Sequence, residues 1–591
     1  MCGIAGIYKF NSSADVMQLK RMTDSIAHRG PDGEGFWKSE KGNLCLGHRR
    51  LSIIDLSEKA KQPMHYLNRY TLTFNGEIYN YIELKEELLK KNYQFNSDSD
   101  TEVLLAAYHE YGEACLQKLD GMFAFAIYDS VEEKLFCARD RFGEKPFYFF
   151  YEEGKQFVFA SEIKCFWAAG FERSVNHRMV FYYLEHDLLE NPLRKEETFF
   201  ENIFKLKAAH YCTVSKEGKM ETKKYWQLNW KKINTEIKIE EATETFSSLF
   251  FQSVKRRLRS DVTVGSSLSG GLDSSSVVAA IQKIKPDTQL QKTFTARFHD
   301  ASLDEGEKIN FLKKKIPVNS FDVWCDANSF AADLKKMLWH QDEPMIGTSP
   351  AAQWQVMKLA QQEKTIVLLD GQGADETIAG YPKYFAAFFS ELNYTKNNSL
   401  NDELEEFEKL YGVKFLFDKR HERANKNPKL FSFLSTAKTK LFDKYPSPFK
   451  IFQTLNETLA FDSCVYGLEK LLRFSDRNAM AFSREVRLPY LNHELVEFVF
   501  SLPANFKMHN GRTKFILRKA SNYLLPEEIV WEKRKTGFEP PENEWLKYET
   551  LISPMKEANN FLMKEKIILQ HKPLNALRAI ELASLFNSNF L

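Results

Sequence analysis

The stretch that most constrains this 591-residue chain is Ser269-Gly270-Gly271-Leu272-Asp273-Ser274-Ser275. Ahead of it, Val262, Val264, Ser266 and Leu268 alternate as residues of a strand do. Behind it, Ser275, Val277, Val278 and Ile281 fit the first turns of a buried helix. Two glycines between strand and helix let backbone N–H groups approach an anion closely. The helix N-terminus adds partial positive charge, and Ser269, Ser274 and Ser275 offer hydroxyl donors. The stretch reads as a phosphate cradle. It is not a Walker P-loop, because G-x-x-x-x-G-K-[ST] occurs nowhere in the chain. A lone Gly-Gly is more often an ordinary strand–helix turn, but the full seven-residue sequence is far more specific.

The length calls for two or more domains, and 43% hydrophobic residues supply ample core. A net charge of +2 argues against a general nucleic-acid binder, and Lys255-Arg256-Arg257 and Lys313-Lys314-Lys315 read as solvated faces. No apolar run reaches the roughly 18 residues that span a bilayer, and no signal-peptide core follows Met1. The eight cysteines form no C-x-x-C pair, so neither a disulfide framework nor a zinc site is indicated. A cytoplasmic, reduced protein with small-molecule substrates and no nucleic-acid or membrane partner is expected, and a homodimer is left open.

Cys2 differs from the other seven cysteines by its place. If Met1 is removed, a thiol and a free α-amine share one residue. With a pKa of about 7.7–8, that amine takes the thiol proton near neutral pH, giving a self-contained nucleophile and base.

Further along come His28-Arg29-Gly30-Pro31-Asp32, His48-Arg49-Arg50-Leu51-Ser52-Ile53, Asn75-Gly76-Glu77-Ile78-Tyr79-Asn80 and Ser99-Asp100-Thr101-Glu102. Together with Met1-Cys2-Gly3-Ile4-Ala5-Gly6, and in that order, they resemble the class II glutamine amidotransferase domain over roughly the first 210 residues. The resemblance implies an αββα sandwich, an α+β N-terminal-nucleophile fold of two antiparallel sheets between helix layers. Short segments such as Tyr70–Asn75, Phe123–Asp129 and Lys134–Arg139 suit its strands. It also implies roles. Cys2 attacks the glutamine amide, and the tetrahedral oxyanion so formed needs positioned donors, supplied by the Asn75 side chain and the Gly76 N–H. Arg50 takes the α-carboxylate as a bidentate fork, Asp100 the α-ammonium, and Glu77 helps fix the substrate amide. Arg49, beside Arg50, is the near-miss. Asp140-Arg141-Phe142-Gly143-Glu144-Lys145-Pro146 also matches and reads as a structural turn.

Lys224-Tyr225-Trp226 closes this part in the manner of the family, and charged residues 227–240 read as a linker. Helix 241–259 leads into the cradle strand, and Gln291–Phe298 is a second strand within reach of a βαβ crossover. The sheet should be parallel and doubly wound, with ligands at the carboxyl ends of its strands; Leu268 and Ala296 are then walls for adenine. The buried strand Ile366-Val367-Leu368-Leu369 runs into Asp370-Gly371-Gln372-Gly373-Ala374-Asp375-Glu376.

The cradle resembles the pyrophosphate loop of enzymes that cleave ATP between its α- and β-phosphates. The second loop resembles the S-G-E-G-x-D-E signature of glutamine-hydrolysing asparagine synthetases. In that resemblance Ser269, Gly270, Gly271, Ser274, Asp370 and Gly371 contact ATP or pyrophosphate, and Asp273 and Asp375 hold magnesium (Mg²⁺). Two positions depart: Asp370 stands for serine and Gln372 for glutamate. Glutamine accepts no proton near neutral pH, so Asp370 covers a base role, or ammonia needs no side-chain base, or the acceptor carboxylate differs. Leu471 to Met480 and Glu485 to Leu491 match the segments lining the acceptor site and ammonia path. Trp531-Glu532-Lys533-Arg534-Lys535-Thr536-Gly537-Phe538 matches a basic loop in which Lys535 neutralises the leaving pyrophosphate. Between Gly380 and Leu471 the resemblance thins, and only a helix around Asp402–Tyr411 is legible.

The expectation is therefore three segments: a glutaminase domain over 1–210, a linker over 211–240, and an α/β doubly wound ATP-pyrophosphatase domain with helical additions over 241–591. The resemblance implies glutamine-dependent amidation of aspartate with ATP and Mg²⁺. Three other readings remain: an amidoligase of the same build acting on another carboxylate, a β-lactam synthetase-like enzyme, and a non-catalytic regulatory descendant. Cys2, Arg50, Asn75 and Asp100 argue against the second, and retention of Cys2 and Asp273 against the third.

Overall fold

Strand Gly3–Lys9 shows how the first half is built. Ile4 and Tyr8 point into one core, together with Leu44, Leu46, Ala124, Ala126 and Leu135. Ala5 and Ile7 point the other way, onto Leu19, Met22, Ile26 and Ile163 of flanking helices. A strand buried on both faces, alternating between two apolar layers, is what a four-layer αββα sandwich requires. In the computed structural model, which describes residues 2–285, 290–417, 452–532, 540–568 and 573–590, two six-stranded antiparallel sheets face each other. One runs Phe204–Lys205, Tyr148–Glu152, Gln156–Ala160, Gly3–Lys9, Leu44–Arg50, Gly33–Lys38. The other runs Met220–Lys224, His210–Val214, Lys134–Arg139, Gly121–Asp129, Tyr70–Ile78, Met64–Tyr66. Helices Val16–Asp24 and Asp100–Tyr111 lie on opposite outer faces.

The second half carries a five-stranded sheet in the order Val318–Cys325, Gln291–Phe298, Val264–Ser267, Val367–Leu369, Glu485–Arg487. Every pairing is parallel. The chain builds outward from Val264–Ser267 on one side and then crosses to Val367–Leu369 on the other. The order therefore reverses between these two strands, and the loops leaving their carboxyl ends flank one crevice.

The helix expected over 241–259 runs Ile239–Arg257, the strand expected over Gln291–Phe298 has those bounds, and the helix near Asp402 spans Leu400–Tyr411. The charged segment after Trp226 is anchored to the second half: Asn234 N donates to Ser501 O at 2.7 Å, and Trp226 Nε1 to Glu497 Oε1 at 2.5 Å. The two halves also share a core in which Leu51, Ile53, Tyr79 and Met122 pack with Val277, Ala374, Met480 and Tyr490. Among the described residues, no helix is long and apolar enough to cross a membrane.

Candidate functional site

Two sites lie on either side of that shared core. In the first, Cys2 precedes the opening ladder pair Gly3↔Arg49, so side chains hold it. Its backbone N donates to Asn75 Oδ1 at 3.0 Å, and its Sγ lies 3.9 Å from Leu51 O. Asn75 is 0% exposed. With Oδ1 engaged, its Nδ2 is a buried donor that has no partner among the described residues, a donor chemically able to meet an oxyanion. Gly76 follows at φ +156° in a position where a Cβ would collide with Met122 O and Phe123 Cα, so only glycine brings its N–H there.

Strand geometry separates the two arginines. Successive residues of Leu44–Arg50 face opposite sides. Arg49 pairs with Asp24 and Glu34, whereas Arg50 turns towards the loop after it, donating to Ser57 O at 3.0 Å and Asp55 O at 2.5 Å, and its charge acts on the Cys2 thiol. Asp100, in the first turn of its helix, accepts Ile78 N–H at 2.8 Å. Burial raises its carboxyl pKa to about 6, a rise that this hydrogen bond limits. Burial likewise pushes the Cys2 thiol up, against the charge of the chain's amino terminus. Glu77 is held well above the usual carboxylate range by burial and by Glu485 and Asp100, although Arg487 of the second half lies 3.7 Å from it.

The second site occupies the switch-point crevice, a cavity of ≈ 600 Å³. Leu268, Ser269, Gly270, Gly271, Asp273 and Ser274 line it from one strand end, Asp370, Gly371 and Asp375 from the other, and Ala296 from a third strand. Gly270 takes φ +79°, and a Cβ on Gly371 would stand 2.8 Å from Ser274 N, so both loops need glycine to meet. Ser274 Oγ accepts Ser269 N–H at 3.1 Å, which closes the turn. Burial raises the Asp370 carboxyl against hydrogen bonds from Ser267 and two backbone N–H groups. Gln372 donates its N–H to Asp370 Oδ1 at 3.0 Å, and its side-chain Oε1 is buried without a partner among the described residues. Lys535 lies outside the described residues.

Nothing in the sequence singles out Lys514. Its ammonium sits 2.5 Å from Asp273 Oδ2 and 2.6 Å from Asp375 Oδ1, on a left-handed backbone (φ +54°) at the start of helix Phe515–Ser521. A single lysine in Gly511-Arg512-Thr513-Lys514-Phe515 has no distinguishing spacing; only the fold brings it between the two aspartates. Both carboxylates are hard oxygen donors converging on one point beside a glycine-rich cradle. That set fits Mg²⁺, which takes one or two carboxylates and completes its shell with phosphates and water.

Comparison with known proteins matches one family to each half of the chain. A glutamine amidotransferase domain family matches residues 1–226, and the asparagine synthase family matches residues 245–572. The chain is 32% identical over 576 residues to asparagine synthetase [glutamine-hydrolyzing] 1 of Bacillus subtilis, covering 93% of this chain and 88% of that one. It is 35% identical over 404 residues to a putative asparagine synthetase [glutamine-hydrolyzing] 2 of Methanocaldococcus jannaschii, covering 64% and 76%. It is 28% identical to amidase chry2 of Gibberella zeae, covering 90% and 86%.

Proposed function

Because the chain belongs to the glutamine-hydrolysing asparagine synthetase family, we propose that it converts aspartate, glutamine and ATP into asparagine, glutamate, AMP and pyrophosphate. The observation that carries this reading is the coexistence of two sites of different chemistry in one chain. Cys2 stands beside Asn75, whose Nδ2 has no partner among the described residues, and Lys514 between Asp273 and Asp375 in the crevice.

In the first site, removal of Met1 turns the Cys2 nitrogen held by Asn75 into an α-amine that takes the thiol proton. The thiolate attacks the glutamine amide carbon, and Asn75 Nδ2 and Gly76 N–H receive the developing oxyanion. The α-ammonium returns the proton to the departing nitrogen, so collapse expels ammonia and leaves a glutamyl thioester, which water hydrolyses to glutamate with the thiol restored. Arg50 and Asp100 hold the α-carboxylate and α-ammonium, and Glu77, whose carboxyl burial holds above the usual range, helps fix the amide. In the second site, the aspartate side-chain carboxylate attacks the α-phosphate and pyrophosphate leaves. Ser269, Ser274 and the backbone of Gly270, Gly271 and Gly371 cradle the phosphates, and Leu268 and Ala296 flank the adenine. Lys514 neutralises charge on the leaving group, a role expected of Lys535. Asp273 and Asp375 would hold Mg²⁺, which when bound supplies charge neutralisation at the phosphates. Ammonia then displaces AMP from the acyl-adenylate.

Ammonia passes from the first site to the second inside the molecule, across the interface where Leu51 and Met122 pack with Ala374 and Met480. The glutaminase domain, expected over 1–210 with a linker over 211–240, is extended to Trp226 in this reading, because strands His210–Val214 and Met220–Lys224 belong to its second sheet; an anchored linker then joins it to the synthetase domain. Protein lacking Met1, incubated with amide-¹⁵N glutamine, MgATP and aspartate, should yield ¹⁵N-asparagine. Label appearing only as free ammonium would sink the reading.

A second reading is favoured by Gln372 and by the apolar side chains Leu471 and Phe474 that line the same cavity: amidation of a carboxylate other than aspartate. Pyrophosphate release that depends on another carboxylic acid and ignores aspartate would establish it.

A further inference from the structure

We propose that Asp476, on helix Leu468–Ala481 of the second half, is a positioning residue for the nucleophile of the first: it orients Arg29, and Arg29 holds the Cys2 carbonyl. The proposal rests on Cys2 being the glutaminase nucleophile.

Cys2 lies outside the antiparallel ladder, which opens at Gly3, and a chain end without such pairing frays unless something ties it down. Asn75 holds its nitrogen, and its oxygen accepts Arg29 Nε at 3.0 Å. Arg29 sits on the short turn Ala27–Arg29, an element with little rigidity of its own, and its side chain is 0% exposed. The plane of its guanidinium is fixed by a two-pronged pair with Asp476: Nη1 to Oδ2 at 2.9 Å and Nη2 to Oδ1 at 3.0 Å. A fork of this kind sets direction as well as energy, so the direction of Nε towards Cys2 follows from it.

Glu162 cannot do this alone. It reaches only Arg29 Nη1, at 2.8 Å, and it also serves His28, Lys164 and Arg477. Asp476 is committed to Arg29, with Lys145 as a second cation at 3.5 Å. The same helix presents Leu471 and Phe474 to the ATP-side cavity. One rigid element thus lines the synthetase site and steadies the nucleophile of the glutaminase site. It follows that glutamine hydrolysis needs the second domain docked.

The test is Asp476→Asn in the full-length protein, which keeps the shape but sets an amide N–H₂ against the guanidinium. Glutamine hydrolysis, glutamine-dependent synthesis and ammonia-dependent synthesis are measured on one preparation. The expected result is a fall in glutaminase kcat of at least about tenfold, because a small misplacement of a reacting group is costly. The glutamine KM should stay within about twofold, and ammonia-dependent synthesis should fall at least about fivefold less than glutamine hydrolysis. Arg29→Lys should show the same split, and combining the two should add nothing further, as expected for members of one chain of contacts. Parallel loss of glutamine- and ammonia-dependent rates, unchanged rates, or additive losses would overturn the proposal. Cys2→Ser serves as control: if it hydrolyses glutamine at the full rate, the assignment of the first site fails, which is a different failure from that of Asp476.

Discussion

Lys514 Nζ lies 2.5 Å from Asp273 Oδ2, and this contact ties the carboxyl-terminal helices to the phosphate cradle. Asp273 stands in the first turn of helix Leu272–Ile284, and Asp375, the other partner of Lys514, follows a different strand. Burial would strip the Lys514 proton, but the two aspartates outweigh it and hold the ammonium pKa above its ordinary value. The lysine therefore stays charged at the pH where pyrophosphate leaves.

Lys514→Ala should lower aspartate-dependent pyrophosphate release by about 100-fold or more, the scale of losing one electrostatic stabiliser. Glutamine hydrolysis should be retained. Pyrophosphate assays of the variant and the parent decide it, and an unchanged rate would remove Lys514 from the chemistry.

Chelation should separate the two sites. With excess EDTA, pyrophosphate release should stop while glutamine hydrolysis continues, because the donors that fit Mg²⁺, Asp273 and Asp375, are in the second site only. Loss of both activities would contradict that placement.

The Asp100 carboxyl titrates at about 6, raised chiefly by burial. An acid with a raised pKa is charged above that value and neutral below it. If Asp100 is the partner proposed for the glutamine α-ammonium, that partner disappears as pH falls through about 6. The KM for glutamine should rise below pH 6, while ammonia-dependent synthesis shows no matching inflection. In Asp100→Asn the KM should be high at every pH; a persisting inflection would assign the titration to another group.

Gly76→Ala should abolish glutaminase activity, since a Cβ at φ +156° meets Met122 O and Phe123 Cα. The backbone N–H then leaves the oxyanion position, a loss of about 100-fold or more. Normal hydrolysis by this variant would show that the Gly76 N–H is not a donor in the reaction.

The sequence disclosed most where a local pattern forces the structure. Gln291–Phe298 is legible as a strand because Thr293, Phe294, Thr295 and Phe298 favour extended backbone within reach of a crossover, and Ser269–Ser275 must turn closely because two glycines separate a strand from a helix. Arg50 could be set apart from Arg49 only by resemblance, yet the alternation of strand Leu44–Arg50 supplies a physical reason. Lys514 and Asp476 were illegible because neither sits in a spacing that signals its partner. Lys514 meets Asp273 across 241 residues and Asp476 meets Arg29 across 447, and contacts of that separation exist only after the domains assemble.

The most direct test quantifies asparagine, AMP and pyrophosphate made by purified protein lacking Met1, supplied with glutamine, MgATP and aspartate. The account predicts all three in equal amounts, accompanied by glutamate. Glutamate formation without aspartate-dependent pyrophosphate would contradict asparagine as the product and turn the search to a different carboxylate.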